Sequence, residues 1–296
     1  MDQRLRFAKE LTGPLRIPPG SEVDLSRDHD PASTAGVRRK EADVLLAQGA
    51  ALLAGYQDRL AAQDTYAVLV VLQGLDASGK DGTIKHVLRG ANPQGVLIST
   101  FKEPSAEELS HDFLWRYQRA LPSRGKIGIF NRSHYEEVLV VRVHPGLLAA
   151  EHLPEPARGP DVWSRRYREI NDWERYLVDN GVRIVKIMLN LSRQEQARRF
   201  LKRIRHPDKN WKFSASDIHE RAYWDDYQRS FSEMLSKTST SWAPWHVVPA
   251  DHKWFARLAT AAAIVGELAD IDPQYPVPSP ADRAMMAQAA AELAGG

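Results

Sequence analysis

The chain has 296 residues, of which 43% are hydrophobic and 26% are charged, and its formal net charge is +2. This length predicts one large α/β domain, and the small net charge excludes a protein that binds polyanions over its whole surface. The sequence contains no cysteine, which excludes disulfides, thiol catalysis and cysteine-based zinc sites. No apolar run approaches the length of a membrane span and residues 1–15 lack an apolar secretory core, so we expect a soluble, cytoplasmic protein with no membrane partner.

The N-terminal third leads into a buried strand. Residues 1–35 combine charges with prolines at 14, 18, 19 and 31, which predicts an extended N-terminal arm. Apolar residues then recur near helical spacing from Gly36 to Gln63, which predicts an amphipathic helix. The apolar run Val68 to Leu72 is too short for a helix and is rich in valine, so it predicts a strand buried on both faces of a parallel sheet.

A glycine loop that ends in lysine, Gly74-x-x-x-x-Gly79-Lys80, follows this strand and precedes helix-compatible sequence from Asp81 to Leu88. The order of strand, loop and helix is typical of a P-loop, which binds phosphate through backbone N–H groups, a helix N-terminus and the lysine. A glycine turn that serves packing alone is the alternative. The predicted phosphate-binding residues are Gly74, Ala77, Ser78, Gly79, Lys80, Asp81 and Gly82, with Lys80 also catalytic.

Two acidic residues depart from the usual P-loop pattern. Asp81 occupies the position after the lysine, where Ser or Thr normally binds Mg²⁺. Asp76 lies in the middle of the loop, where an anion costs free energy unless a cation lies beside it. We therefore predict that Asp76 is catalytic, as a metal ligand or proton acceptor, with a turn-forming aspartate as the alternative.

Strands and helices alternate through the rest of the chain. The further predicted strands are Val96–Phe101, Lys126–Phe130, Val182–Leu191 and Trp245–Val248. The further predicted helices are Ser105–Ala120, Ser133–Val143, Asp161–Asn180 with Gly181 as a left-handed cap, one capped by Ser192 and Glu195, Ser216–Lys237 and Lys253–Leu268. This alternation predicts an α/β protein with a five-stranded parallel sheet between two helical layers. The predicted domain spans residues 36–272, and a proline-rich tail with an alanine-rich helix follows at 273–296.

Polar residues follow the second and third strands, where ligands bind in open α/β sheets. Glu103 follows the second strand, and Asn131, Arg132 and Glu136 follow the third. Asn131 replaces the aspartate of a Walker-B strand and is a candidate metal ligand. Arg132 is a candidate catalytic residue that binds an acceptor phosphate through its two-pronged guanidinium, with a surface charge as the alternative.

Two further groups carry charge. Asp112 and Arg116 lie four residues apart, so either they form a helical ion pair or Arg116 binds a substrate phosphate. The segment from Arg198 to Lys212 is strongly basic, which is typical of a solvated helix face or of the lid that closes over phosphates in nucleotide kinases. We predict a lid over about residues 198–216, in which Arg199 is one of the cations and Arg203, Lys209 and Lys212 bind phosphate.

Several motifs together resemble the polyphosphate kinase 2 family. They are Gly74 to Gly82, Phe101 to Ser105, His111 to Arg116, Phe130 to Glu136, the basic lid and Ala243 to Asp251. The resemblance covers about residues 35–272 and includes the unusual Asp76 and Asp81. It implies a thymidylate-kinase-like P-loop fold, polyphosphate as phosphoryl donor, a nucleotide acceptor, Mg²⁺ with Mn²⁺ as a possible substitute, and a homo-oligomer, either a dimer or a tetramer.

The resemblance also implies roles for single residues. Asp76 corresponds to the loop aspartate that organises metal and acceptor, and Lys80 to the lysine on the transferred phosphate. Glu103, Asp112, Arg116, Arg132 and Glu136 are the candidate nucleotide-binding residues. Asn131 together with Glu136 resembles the subgroup that accepts both AMP and ADP. An ATP-dependent nucleotide kinase and a non-catalytic polyphosphate or nucleotide sensor are the alternatives, and a nucleic-acid binder is disfavoured because aromatic residues do not interleave with the basic run.

Overall fold

A single parallel sheet organises the molecule. The computed structural model describes residues 2–295, except for the side chain of Lys212. Within them, five strands lie in the order β2-β3-β1-β4-β5, and every neighbouring pair is parallel. The strands are β1 Ala67–Gln73, β2 Val96–Thr100, β3 Ile127–Asn131, β4 Val182–Asn190 and β5 Trp245–Pro249. The predicted five-stranded parallel sheet is confirmed.

Helices cover both faces of this sheet. The α-helices of the described residues are α1 Gln3–Thr12, α2 Leu25–Asp28, α3 Arg39–Gln63, α4 Lys80–Val87, α5 Ala106–Leu109, α6 Trp115–Gln118, α7 Val140–Val143, α8 Gly146–Ala149, α9 Val162–Asp179, α10 Arg193–Arg205, α11 Ala215–Glu220, α12 Trp224–Thr238, α13 Lys253–Ile271 and α14 Pro280–Ala294. The 3₁₀ helices are Gly13–Leu15, Pro93–Gly95, His134–Val138, Glu155–Arg158, Pro207–Lys212 and Arg221–Tyr223. The predicted three-layer α/β/α arrangement is confirmed.

Strand β1 lies at the centre of the sheet and is buried along its whole length. Its alternate residues Val68, Val70 and Leu72 pack into one apolar cluster with residues of α1, α3, α4 and α13. Leu69 and Val71 face the opposite cluster, which includes residues of α9 and α12. Because β1 has a neighbour on each side, the loop that follows it begins in the middle of the sheet's carboxyl edge.

The N-terminal arm is not extended as predicted. Residues 3–12 form helix α1, whose Ala8 and Leu11 are buried in the same cluster as α13. Asp2 caps this helix by accepting a hydrogen bond from the backbone N–H of Arg4 at 2.8 Å. All the prolines of the arm come after α1, so they do not prevent the helix. The burial of its apolar face against α13 outweighs the local charge that suggested an extended segment.

Three predicted helices are wrong as continuous elements. The segment 105–120 opens with the predicted Ser105–Glu108 capping box but divides into α5 and α6. Between them, the carboxylate of Asp112 accepts a hydrogen bond from the backbone N–H of Leu114 at 3.0 Å, a local turn bond that competes with the helix. Segment 133–143 divides at Leu139, whose backbone is not helical (φ −112°, ψ −81°), and segment 216–237 contains a 3₁₀ turn at Arg221–Tyr223.

Other predicted helix ends agree with the structure. Gly181 adopts a left-handed conformation (φ +88°) after α9, as predicted for its cap. The Ser192 hydroxyl accepts a hydrogen bond from the backbone N–H of Glu195 at the start of α10. The predicted alanine-rich helix is α14, in which no residue is buried. None of the helices within residues 2–295 combines the length and the apolar character that crossing a membrane requires.

A buried ion pair joins the helical layer that contains α9 and α12 to the sheet. The Lys186 ammonium, on β4, lies 2.6 Å from Glu174 Oε2 and donates to the Tyr135 hydroxyl at 2.8 Å and to the Thr238 carbonyl at 2.7 Å. Both charged side chains are fully buried. Burial by itself would raise the pKa of Glu174, but the Lys186 ammonium and His134 outweigh it and hold this pKa below its usual value. The network therefore ties the 3₁₀ helix 134–138, α9 and α12 to the sheet.

We predict that Glu174→Ala lowers the free energy of unfolding by about 3–5 kcal/mol, because it leaves the Lys186 ammonium buried without a counter-ion. Urea denaturation at neutral pH measures this loss. Arg175→Ala is the matched control, since Arg175 is exposed on the same helix and pairs with Asp179 in solvent. It should remain within about 1 kcal/mol of the wild type. Equal losses in the two variants would contradict the proposed weight of the buried pair.

Candidate active site

The loop between β1 and α4 adopts a path that its glycines permit. Gly74 and Gly79 have positive φ angles of +147° and +107°. A Cβ atom at Gly74 would lie 2.9 Å from the Leu189 carbonyl oxygen of the neighbouring strand, so only glycine fits there. Ala77, between them, also takes a left-handed conformation (φ +65°), which is strained for a residue with a side chain. The loop thus has the tight, strained geometry of a ligand-binding turn.

Lys80 begins α4 and turns its ammonium back into the loop. Its Nζ donates to the Gly74 carbonyl at 2.6 Å and lies 3.4 Å from the Leu75 carbonyl. The side chain is buried, and burial followed by the positive charge of Arg132 lowers the pKa of Lys80, while Asp76 opposes this shift. The loop therefore holds a buried cation among backbone oxygens, next to the space where a phosphate would lie.

Arg132 supplies the cation that Asp76 needs. Its guanidinium donates to Asp76 Oδ1 at 2.7 Å and to Glu136 Oε2 at 3.0 Å. Both carboxylates raise the pKa of Arg132, Glu136 more than Asp76. Arg132 reaches them from a left-handed backbone conformation (φ +63°) directly after β3. The three side chains form a chain of alternating charges across the floor of the site.

Asn131 is buried at the end of β3 and contacts the helix of the P-loop. Its amide Nδ2 donates to Asp81 Oδ1 at 3.0 Å. Asp81, which replaces the usual Ser or Thr, thus contacts Asn131, which replaces the usual Walker-B aspartate. Because its nitrogen is used in this way, the side-chain oxygen is the atom that Asn131 can offer to a metal.

A cavity of about 1880 Å³ opens above these residues. On the β2 and β3 side its wall mixes charged side chains with apolar ones, among the latter Phe101, Phe113, Val140 and Leu147. On the β4 and β5 side its wall includes cations, among them Lys202, Arg203, Lys209, Lys253 and Arg257. The strand order places the P-loop between these two sides. The cavity therefore suits a ligand with an amphipathic end and a highly anionic end, or two ligands that meet at the P-loop.

The cavity brings most of the predicted site residues together. Its lining includes Asp76, Ala77, Ser78, Gly79, Lys80, Asp81, Gly82, Glu103, Arg116, Asn131, Arg132, Glu136, Arg203 and Lys209. Gly74 shapes the loop from outside this lining, and Asp112 also lies outside it. The side chain of Lys212 falls outside the part of the chain that the structure describes. The individual roles of these residues stay predictions.

The considered Asp112–Arg116 ion pair does not form. Arg116 Nε lies 3.1 Å from Glu108 Oε1, and its Nη1 donates to the Lys102 carbonyl at 3.0 Å. The guanidinium also lies over the Phe101 ring, 5.3 Å from its centroid. Since the predicted helix breaks between Asp112 and Arg116, the spacing of four residues no longer places them on one face. Arg116 instead reaches the cavity wall.

Arg199 corrects the view that the whole basic segment belongs to a lid. Its side chain is only 5% exposed, and its Nη1 donates to the Ala77 and Ser78 carbonyls at 2.9 and 2.7 Å. Its Nη2 donates to the carbonyls of Ala250 and Asp251, and its Nε to Glu195 at 2.7 Å. Arg199 is thus a tether behind the P-loop and not a mobile cation. The run of basic residues concealed this role, because sequence does not tell which arginine of a helix points inward.

Sequence reasoning also missed Lys253 and Arg257, both on α13. Burial, followed by the charges of Arg199 and Lys202, lowers the pKa of Lys253 to about 8. Burial, followed by the charge of Arg39, lowers the pKa of Arg257. The position of Lys253 in the sequence could have indicated this, since it follows the carboxyl end of β5 and ligands in such sheets bind at the carboxyl ends of strands.

Comparisons with known proteins agree with one another. A family model described as polyphosphate kinase 2 (PPK2) matches residues 37–276. An ADP-polyphosphate phosphotransferase of Rhodopseudomonas palustris is 46% identical over 286 residues, which is 96% of this chain and 99% of that protein. An AMP/ADP-polyphosphate phosphotransferase of Meiothermus ruber is 40% identical over 267 residues, covering 90% of this chain and 96% of that protein. The crystal structure of polyphosphate kinase 2 from Arthrobacter aurescens TC1 matches with a TM-score of 0.83 at 40% identity, over 93% of this chain and 95% of that one.

We predict that Arg199→Lys lowers the free energy of unfolding by about 2–4 kcal/mol, because an ammonium cannot reproduce the fork that satisfies several buried carbonyls. Arg198→Lys is the matched control, since Arg198 is the adjacent residue, is 72% exposed and binds the same Glu195. Its effect should stay within about 0.5 kcal/mol. Thermal and urea denaturation of both variants provide the measurement, and equal stabilities would show that Arg199 is not a tether.

Proposed function

This chain belongs to the polyphosphate kinase 2 family, and on that premise we propose that it transfers the terminal phosphoryl group of inorganic polyphosphate to AMP and ADP. The observation that carries this proposal is the cavity in which a P-loop lysine lies between a wall of mixed apolar and polar side chains and a wall rich in cations. The mixed wall suits a nucleoside, whereas the cationic wall suits a long polyanion. The names of the relatives support both substrates, and one of those names includes AMP as well as ADP.

The reaction is an in-line displacement at the terminal phosphorus of the donor. An anionic oxygen of the acceptor phosphate forms the new P–O bond, and the bond to the bridging oxygen of the penultimate phosphate breaks. The leaving group is the polyphosphate shortened by one unit, and no proton transfer is needed because the attacking oxygen is ionised. Catalysis then consists of positioning and of neutralising charge on the transferred group.

The chain's own cations supply this neutralisation. Lys80 lies at the end of the P-loop and exchanges its bonds to the Gly74 and Leu75 carbonyls for oxygens of the transferred phosphoryl group. Arg132 binds the acceptor phosphate, and Arg203 and Lys209 close over the donor from the lid. Two N–H groups of Arg132 donate to Asp76 and Glu136, and its remaining N–H groups can bind phosphate while both carboxylates stay in place.

The donor set of the site fits Mg²⁺. Among the described residues, no group of three His, Cys, Asp or Glu side chains could hold a metal by itself. Mg²⁺ in phosphoryl-transfer sites is usually held by one or two carboxylates together with substrate phosphates, so a complete protein cage is not required. Asp76, whose side chain is 34% exposed, and the oxygen of Asn131 would hold it. When bound, Mg²⁺ or Mn²⁺ would neutralise charge on the substrate phosphates.

Location and assembly extend the proposal. We propose a cytoplasmic enzyme, where nucleotides and polyphosphate are both present, and a homo-oligomer of the kind that the family resemblance implies. Chromatography with light scattering measures the assembly directly. Both statements rest on the family and not on the geometry of the site.

The decisive experiment mixes the protein, Mg²⁺, polyphosphate and AMP and follows ADP and ATP. We expect both products, and we expect Lys80→Ala to reduce kcat at least ~100-fold because it removes preorganised charge stabilisation of the transferred group. Lys85→Ala is the matched control, since Lys85 is an exposed lysine on the same helix, and should keep near wild-type activity. Turnover with ATP as the sole donor, and none with polyphosphate, would instead identify an ATP-dependent nucleotide kinase. Binding without turnover would identify a sensor.

A second variant tests the use of both acceptors. Glu136 holds Nη1 of Arg132, and AMP offers a single phosphate that Arg132 must place without help from a second one. We expect Glu136→Asn to lower kcat/KM for AMP about fivefold more than for ADP, as loss of one hydrogen bond of about 1 kcal/mol predicts. Glu107→Asn, at an exposed position of α5, is the control. Equal losses for AMP and ADP would remove the basis for assigning the chain to the subgroup that uses both.

A further inference from the structure

One buried carboxylate of the cavity wall has no part in the proposed transfer step. Glu137 belongs to the 3₁₀ helix that follows β3, lines the cavity, and has a side chain that is only 9% exposed. Its Oε2 accepts a hydrogen bond from Arg166 Nη1 at 2.6 Å. None of the described residues donates to its other oxygen, Oε1, and this atom is not sealed off from solvent. A buried carboxylate thus offers a free oxygen to the cavity.

The cation beside Glu137 is shared between two carboxylates. Arg166, on α9, is 2% exposed and donates to Glu137 through Nη1 and to Glu151 through Nη2. Burial raises the pKa of Glu137 to about 7, Arg166 opposes this rise, and the negative charge of Glu151 adds to it. One guanidinium therefore compensates the two carboxylates only in part. An N–H group of a ligand at Oε1 would stabilise the ionised form of Glu137.

The position of Glu137 on the mixed wall suits contact with a base. Glu136 and Glu137 are neighbours in a 3₁₀ helix, in which successive side chains point about 120° apart. Glu136 binds Arg132, the proposed ligand of the acceptor phosphate, whereas Glu137 binds Arg166, whose guanidinium lies 4.7 Å from the centroid of the Phe113 ring. A carboxylate repels phosphate, so a nucleotide with its phosphate at Arg132 would direct its base toward Glu137.

We propose that Glu137 recognises the base of the acceptor by accepting a hydrogen bond from the exocyclic amino group of adenine, while Arg166 holds the carboxylate in place. The inference rests on the proposed function, because it assumes that AMP and ADP are the acceptors. The amino group is a donor and an ionised carboxylate can only accept, so the two are complementary. A purine that lacks this amino group would leave Oε1 of Glu137 covered but unpaired, and the site therefore disfavours it.

The test compares AMP with purine riboside 5′-monophosphate, which differs from AMP only in lacking the amino group. With polyphosphate as donor, kcat/KM of the wild type should be about tenfold higher for AMP, as a hydrogen bond to a charged group predicts. Glu137→Gln keeps the shape of the side chain, but Arg166 binds its only oxygen and leaves the NH₂ group toward the cavity, so this preference should disappear. Glu155→Gln, at an exposed position outside the cavity, should retain it.

Binding measurements separate this inference from the proposed function. Calorimetric titration of each nucleotide without polyphosphate should give dissociation constants that differ about tenfold in the wild type and are equal in Glu137→Gln. This result without any transfer would support the role of Glu137 while the proposed function failed. Equal kcat/KM for the two nucleotides in the wild type would overturn that role, leave the function intact and require no folded variant. A variant that instead lost a preference for AMP over 2′-deoxy-AMP would place the ribose at Glu137, which also overturns the inference.

Discussion

Arg132 lies between two carboxylates, Asp76 in the P-loop and Glu136 in the following 3₁₀ helix, and the rest of the site depends on this arrangement. A carboxylate inside a loop that binds anions competes with phosphate for the same electrostatic potential. The guanidinium offsets this competition, since it donates to Asp76 Oδ1 at 2.7 Å and holds the carboxylate in place. Because only two of its five N–H groups are used in this way, Arg132 keeps donors for the acceptor phosphate of the proposed reaction. One arginine thus holds both carboxylates of the site in place.

The loop that carries Asp76 is held from behind by a second arginine. Arg199 donates hydrogen bonds to carbonyls of the P-loop and of the segment after β5. The carboxylate of Asp251 accepts a hydrogen bond from the backbone N–H of Ser192, the residue that caps α10. The start of α10 is therefore fixed to the P-loop. Further along, Arg203 and Asp217 approach at 3.4 Å and connect α10 with α11. The predicted lid is thus anchored at its base, and a partly exposed ion pair joins its outer part to α11.

The sequence predicted the features that depend on local pattern. The apolar run of β1 and the Gly74–Lys80 spacing sufficed for the central strand and the P-loop, because burial on both faces and a lysine-tipped turn leave unmistakable patterns. It failed where tertiary contacts decide the outcome. Helix α1 is stabilised by packing on α13, and the turn bond of Asp112 interrupts a helix that its propensity favours. Arg198 and Arg199 are adjacent basic residues, but Arg199 projects toward the P-loop and is buried, whereas Arg198 projects into solvent. The sequence does not show this difference.

The distribution of charge across the cavity favours polyphosphate over ATP as the donor. A nucleotide donor needs an apolar or hydrogen-bonding surface for its base on the side of the P-loop opposite the acceptor. That side of the cavity presents Lys202, Lys253 and Arg257, together with Ala256 and the exposed Trp211. A purine there would separate these cations from solvent without offering them charge, and desolvating unpaired cations is costly. A chain of phosphates carries charge along its whole length and can satisfy each cation in turn, whereas a triphosphate ends in a nucleoside after its third phosphate.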